Sequence, residues 1–145
     1  IRNYPWQIKT GVAYFASNTL LISGDLTYNT ATVSNGTLFR QKVQTIDLAL
    51  GTEWYWSPKY ALRAGYYTSQ ANTPDIDASL ADQEPNINNW GATLSVSRFN
   101  RGSEVSIGGL YETGQGEVQL FSGLTNIQDA NMAGFSLFIS TSYSY

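Results

Sequence analysis

The chain has 145 residues, with 8 Lys and Arg against 11 Asp and Glu, a net charge of −3, and neither His nor Cys. The missing Cys excludes a disulfide framework, a thiolate nucleophile, a zinc ribbon or an iron–sulfur site, and the missing His removes the commonest general base and transition-metal ligand. Eight scattered cations in an acidic chain do not form the clustered basic surface that a nucleic acid requires.

Aromatic residues make up 14% of the chain and charged residues only 13%, against roughly 25% charged in an ordinary soluble domain. So little charge points to a surface that meets lipid. No stretch approaches the ~20 consecutive apolar residues of a spanning helix. The remaining way to satisfy every backbone donor and acceptor in hydrocarbon is a closed β-barrel, whose alternating strands average to an ordinary mean hydropathy such as the −0.23 found here.

In chain order, apolar and polar residues alternate with period two in seven segments. The first runs from Trp6 to Phe15 and the second from Leu20 to Asn29. The third, Ile46 to Trp56, sets Ile46, Leu48, Leu50, Trp54 and Trp56 against Asp47, Ala49, Gly51, Glu53 and Tyr55. Tyr60 to Tyr67, Trp90 to Ser97 and Glu104 to Glu112 follow. The last is the clearest: Phe135, Leu137, Ile139, Thr141, Tyr143 and Tyr145 alternate with Ser136, Phe138, Ser140, Ser142 and Ser144. Most segments are near the ~9–11 residues that cross a bilayer at a tilt.

The connections alternate in length. Ala16 to Thr19, Ser57 to Lys59 and Asn100 to Ser103 are tight turns rich in turn-forming residues. Thr32 to Arg40, Gln70 to Asn89 and Gly114 to Asn131 are longer polar links. Short turns on one side and long loops on the other are the pattern of an outer-membrane barrel, with the short turns periplasmic. The aromatics then sort into two belts. Tyr14, Trp54, Trp56, Tyr60, Tyr143 and Tyr145 fall near the short turns, and Trp6, Tyr28, Tyr66, Trp90 and Tyr111 near the long loops, as a girdle at both interfaces requires.

Single-chain bacterial barrels normally have an even number of strands, and seven would leave two exposed edges. The chain also opens on Ile1 without a signal peptide. The expectation is an all-β antiparallel transmembrane barrel of which residues 1–145 form the C-terminal part.

Several stretches resemble the outer-membrane long-chain fatty acid and aromatic-hydrocarbon transporters of the FadL type. They are Tyr4-Pro5-Trp6 leading into Gly11-Val12-Ala13-Tyr14, then Leu20 to Tyr28, and above all Trp54-Tyr55-Trp56-Ser57-Pro58-Lys59-Tyr60-Ala61-Leu62-Arg63-Ala64-Gly65-Tyr66-Tyr67. Asn72-Thr73-Pro74-Asp75 and Trp90-Gly91-Ala92 continue the likeness. The resemblance implies a 14-stranded barrel with an N-terminal plug and a lateral opening, of which this chain is about the last half. It also implies passive uptake of hydrophobic compounds in the bacterial outer membrane. No ligand-contact residue carries over.

The expected lumen face holds Lys9, Asp25, Asp47, Glu53, Arg63 and Glu112. They could guide a substrate headgroup or anchor a plug. The plainer reading is an internal network in which Arg63 and Lys9 neutralise acids on neighbouring strands, since unpaired charges in a narrow barrel are costly. Arg63 facing Glu53 or Asp25 is the expected pair. The acids have no nucleophile-and-base constellation beside them, so catalysis is not expected. Asp75, Asp77, Asp82 and Glu84 could hold a divalent cation through oxygen ligands, but their spacing does not match an EF-hand. A solvated loop without metal is the expected outcome, and no cofactor is implied.

Gly114-Gln115-Gly116 is too short for a phosphate-binding loop. Asn35-Gly36 reads as a turn rather than a glycosylation site. Val118 to Phe121 either folds inward toward substrate or extends a strand above the membrane. The expected partners are membrane lipid and lipopolysaccharide, a hydrophobic small molecule, and the barrel-assembly machinery through the C-terminal strand. Two alternatives stand beside transport of hydrophobic compounds. One is a general porin or structural barrel. The other is a soluble β-barrel or sandwich binding a small apolar ligand, with the Leu, Ile, Val and Trp face turned inward.

Overall fold

The computed structural model describes residues 5–32 and 41–143. Tyr145, the Asn35-Gly36 turn and most of the Thr32 to Arg40 link lie outside them. The described residues form one antiparallel sheet of seven strands and no helix: β1 (Gln7–Ser17), β2 (Leu20–Asn29), β3 (Thr45–Ser57), β4 (Tyr60–Ser69), β5 (Asn86–Asn100), β6 (Ser103–Val118) and β7 (Gln128–Tyr143). Each strand pairs with its sequence neighbour, in the order β1-β2-β3-β4-β5-β6-β7. β1 and β7 do not pair, so the sheet is open and both are edges.

The short connections fall where turn chemistry places them. Asn18 and Thr19 turn β1 into β2, Pro58 and Lys59 turn β3 into β4, and Arg101 and Gly102 turn β5 into β6. Gly102 takes the left-handed φ of 70° that a side chain would disfavour. The longer links gather at the opposite end.

Two of those links are shorter than the sequence suggested. β5 begins at Asn86 rather than Trp90, and β6 runs on to Val118 opposite a β7 that starts at Gln128. The Gly114-Gln115-Gly116 segment therefore lies within β6. Its glycines answer to contact across the ladder rather than to a turn: a Cβ at Gly114 would meet Asn89 Oδ1, and one at Gly116 the backbone of Asn86 and Ile87.

The register settles which side chains share a face, because paired residues in a ladder project to the same side. Along β3, the inward series Thr45, Asp47, Ala49, Gly51, Glu53 and Tyr55 is buried or half-buried, while Ile46, Leu48, Leu50, Trp54 and Trp56 between them are exposed. β5 repeats this, with Ser97 fully buried and Leu94 57% exposed. Ala61 and Ser106 are covered on the polar side, and Ile107 on the other side is 58% exposed. The apolar face is thus the open one. Near the two edges the cover runs out: β1 is exposed throughout, and β7 nearly so.

The sheet curls toward its polar face. On that face, residues two strands apart touch: Tyr55 of β3 stacks on Phe99 of β5, with ring centroids 5.7 Å apart, and Arg63 of β4 reaches Glu104 of β6. A flat sheet would hold such strands roughly 10 Å apart. On the apolar face the ring contacts stay within a strand or between neighbours.

Candidate functional site

The polar face is the candidate site. Its centre is Arg63, carried on β4 with Ala61 and Gly65 on either side of it. The guanidinium donates to Glu53 Oε1 from Nε at 2.9 Å and from Nη2 at 2.8 Å. Nη1 donates to Glu104 Oε1 at 2.6 Å and to Ser97 Oγ at 2.7 Å. Ser97 and Ser106 share a 2.6 Å hydrogen bond, and Ser106 donates to Glu104 at 3.0 Å. One cation thus ties β3, β4, β5 and β6 together, with its planar fork matched to carboxylate oxygens. Phe99 lies beneath the guanidinium, 5.8 Å from Cζ to the ring centroid, and stacks in turn on Tyr55.

Of the two partners expected for Arg63, Glu53 is its direct ladder neighbour and binds it, while Asp25 stands two strands away and does not. Glu104, Ser97 and Ser106 were not among the candidates from sequence. Glu104 carries the right parity, the same as Glu112, but its contact with Arg63 skips a strand and depends on the curl of the sheet. Lys9 lies in one ladder row with Thr27 and Asp47, and no ion pair joins it to a described acid. Asp47 instead accepts from the backbone N–H of Gln70 at 2.7 Å, where β4 ends.

A second row shows how flat this surface is packed. Gly11, Asp25, Ala49, Tyr67, Gly91, Glu112 and Gly134 are successive register partners from β1 to β7. Tyr67 lies down over Gly91 and its hydroxyl donates to Glu112, again two strands away. A Cβ at Gly91 would come within 2.5 Å of the Tyr67 ring, and one at Gly11 would strike the Asp25 carboxylate. Glycine here makes room for a neighbour's side chain to lie along the sheet. Between the two rows, over Gly51 and Gly65, is an open hollow of about 310 Å³ walled by Ser23, Thr93, Glu53 and Arg63.

The aromatics expected in the girdle lie on the other face, while Tyr55, Tyr67 and Phe99 lie on the polar one. Every expected girdle residue that falls in a described strand has the parity of that face, namely Tyr14, Tyr28, Trp54, Trp56, Tyr60, Tyr66, Trp90, Tyr111 and Tyr143. Trp6 precedes β1 and extends its pairing, exchanging hydrogen bonds with Thr30. Trp56 and Tyr60 stack at 5.7 Å near the short turns. Tyr66, Trp90 and Tyr111 form a chain of ring contacts at 6.1 and 5.8 Å toward the long links. Along β4, Tyr60 and Tyr66 are six residues apart, about 20 Å of strand at ~3.3 Å per residue.

At the long-link end, the connection from Gln70 to Pro85 binds its neighbours on both sides. Lys42 donates to Asn72 at 3.1 Å and to Glu84 at 2.8 Å, and Val43 donates to the Asn72 carbonyl. On the far side, Asp82 accepts from Ser122 Oγ at 2.8 Å and from the Gly123 N–H at 3.0 Å, while Gln83 N–H donates to Gln119. The Gly123 amide first, and the Ser122 hydroxyl second, hold the Asp82 carboxyl below the usual carboxylate range. Ser79 does the same to Asp77 through its backbone N–H and its hydroxyl. Asp75 accepts from Asn86. The four acids considered for a cation thus each accept from a protein donor, and among the described residues they do not converge on one point.

Val118 closes β6, buried, whereas Leu120 and Phe121 lie beyond it in the link and are exposed. Neither of the two courses expected for this segment covers all of it.

Comparison with family models and with curated proteins finds no match for this chain.

Proposed function

We propose that this chain forms part of the wall of a bacterial outer-membrane β-barrel that passes hydrophobic compounds, such as long-chain fatty acids or aromatic hydrocarbons, without covalent chemistry. The observation that carries the reading is the inverted burial: Ser97 and Ala61 at 0% exposure on one face, Leu94 and Ile107 above 55% on the other. In water, such an apolar face would be a very large exposed patch. In a bilayer it meets lipid, and the curled polar face lines a lumen.

The two aromatic rows support this reading, since amphipathic rings gather at headgroup level. So does the arrangement of short turns at one end and long links at the other. The open edges fit a larger barrel closed by further strands, as the FadL-like resemblance implies, with lipopolysaccharide around it and the barrel-assembly machinery acting on the C-terminal strand. The soluble alternative asks for the Leu, Ile, Val and Trp face to be enclosed, opposite to the curl of the sheet. The preference for hydrophobic cargo over the sugars and ions of a general porin rests on that resemblance.

The test uses the full-length protein. The reading expects it to leave cell membranes only with detergent and to migrate differently on gels before and after heating. In reconstituted vesicles it should let a long-chain fatty acid equilibrate while excluding sugars. Vesicle swelling in sugars would favour the porin alternative. Monodisperse behaviour in plain buffer would overturn the membrane reading.

A further inference from the structure

Three cations stand together at the short-turn end: Lys59 in the β3–β4 turn, Arg98 near the end of β5 and Arg101 in the β5–β6 turn, all exposed. Phe99 N–H donates to the Lys59 carbonyl at 2.8 Å, which fixes the first turn against the strand that bears Arg98. Arg98 is the register partner of Tyr60 and shares its apolar face. Tyr60 is stacked nearly parallel on Trp56, at an interplanar angle of 2°.

No described acid offsets this group. The turns between Ser17 and Leu20, Ser57 and Tyr60, and Asn100 and Ser103 contain none. Glu53 and Glu104, the nearest acids along the strands, project from the opposite face and are held by Arg63. Acids with the parity of the apolar face, Glu117 and Asp129, are register partners at the far end of β6 and β7. Asp75, Asp77, Asp82 and Glu84 lie at that end too. Outside the Arg63 network, the short-turn rim therefore carries only positive charge, beside rings that mark the headgroup level.

We propose that Lys59, Arg98 and Arg101 bind the phosphate groups of anionic phospholipids in the leaflet that meets the short turns, with the Trp56–Tyr60 pair packing on the glycerol and upper acyl region of the same lipids. This rests on the membrane reading above. The cations spread along two neighbouring turns rather than converging on a pocket, which suits a row of lipid headgroups and not a single free phosphate. Guanidinium groups pair bidentately with phosphate oxygens, and Arg98 does so from the lipid-facing side. Trp56 and Tyr60 supply the amphipathic surface at the same depth.

The experiment is native mass spectrometry of the full-length protein, released from detergent after equilibration with equal amounts of phosphatidylglycerol and phosphatidylcholine. The expected result is retention of phosphatidylglycerol over phosphatidylcholine by about threefold to tenfold, from a few charges near an anionic surface. The Lys59→Gln/Arg98→Gln/Arg101→Gln variant should bring the ratio close to one while keeping heat-modifiable migration. If that variant fails to fold, raising the ionic strength on the unaltered protein should erase the preference, because exposed charges are screened. Equal retention of the two lipids, or a preference unchanged by both the substitutions and salt, would overturn the proposal. Retention of neither lipid by a protein stable without detergent would instead contradict the membrane reading.

Discussion

Along β5, Ser95 is half-buried and Ser97 fully buried while Leu94 and Val96, which alternate with them, are exposed; along β3, Glu53 is half-buried and its neighbours Thr52 and Trp54 are open. The two faces of one sheet thus differ in both chemistry and contacts. On the polar face, hydrogen bonds and ion pairs reach across two strands, from Arg63 to Glu104 and from Tyr67 to Glu112. On the apolar face, ring contacts stay within a strand or between neighbours, and among the described residues no second layer covers them. The sheet gains its inward cohesion from specific polar contacts, and under the membrane reading proposed above its outward face relies on lipid.

The sharpest way to break that contrast is to put a charge on the open face. Leu94→Arg, midway along β5 between Trp90 and Arg98, should lower the stability of the protein folded into vesicles by about 2–4 kcal/mol, the cost of Arg near a bilayer midplane. Urea titration in vesicles would read it. The same arginine at inward-facing Thr93 should cost distinctly less, and equal costs at both positions would abolish the distinction between the faces.

Next in size is Gly91→Val. The new side chain needs the space of the Tyr67 ring, so overpacking should cost about 1–3 kcal/mol. Adding Tyr67→Ala should recover part of the loss, and failure of that rescue would mean that the ring and the glycine are not coupled. Arg63→Gln follows, leaving Glu53 and Glu104 facing each other without a cation. Both pairs are partly solvated, with Arg63 36% exposed, so about 1–2 kcal/mol is expected rather than the larger loss of a fully buried pair. Glu104→Gln in the same background should lessen the penalty.

The smallest effect concerns the long-link end. Asp77 and Asp82 are held below the ordinary carboxylate value, so their hydrogen bonds contribute fully above about pH 4 and are lost as pH falls through the lowered values. Amide protection at Ser79 and Gly123, corrected for intrinsic exchange, should therefore hold at pH 5 and drop toward pH 2. A drop as pH rises instead would contradict this account.

The period-two pattern made all seven strands legible, along with the tight turns and the face of those aromatics that fall in described strands, because alternation fixes parity once a strand is placed. The outer ends of β5, β6 and β7 escaped for a physical reason. Asn86 to Asn89 and Gly114 to Gly116 carry turn-forming residues, yet here the glycines accommodate Asn89 and the Asn86 backbone across a continuing ladder. Arg63 and Glu53 could be paired from sequence because they lie on strands joined by a tight turn, Pro58-Lys59. Glu104 and Ser97 could not, since their contact depends on how tightly the sheet curls, which alternation does not encode. Lys9 shows the converse: shared parity with Asp47 does not bring the two together across an intervening strand.

The most direct test of the central claim, that the apolar face of β5 and β6 meets lipid and the polar face meets water, is a cysteine scan, to which residues 1–145 contribute no native Cys and in which any Cys elsewhere is replaced by Ser. Single cysteines would be placed one at a time at positions 92 to 97 and 105 to 110 of the full-length protein, in native membranes. The account predicts labelling by a membrane-impermeant, water-soluble maleimide that alternates with period two. Positions 93, 95 and 110 should react, while 94, 96, 105 and 107 should stay protected until detergent or a lipid-soluble reagent is used. Uniform labelling, or strong aqueous labelling at 94, 96, 105 and 107, would contradict it.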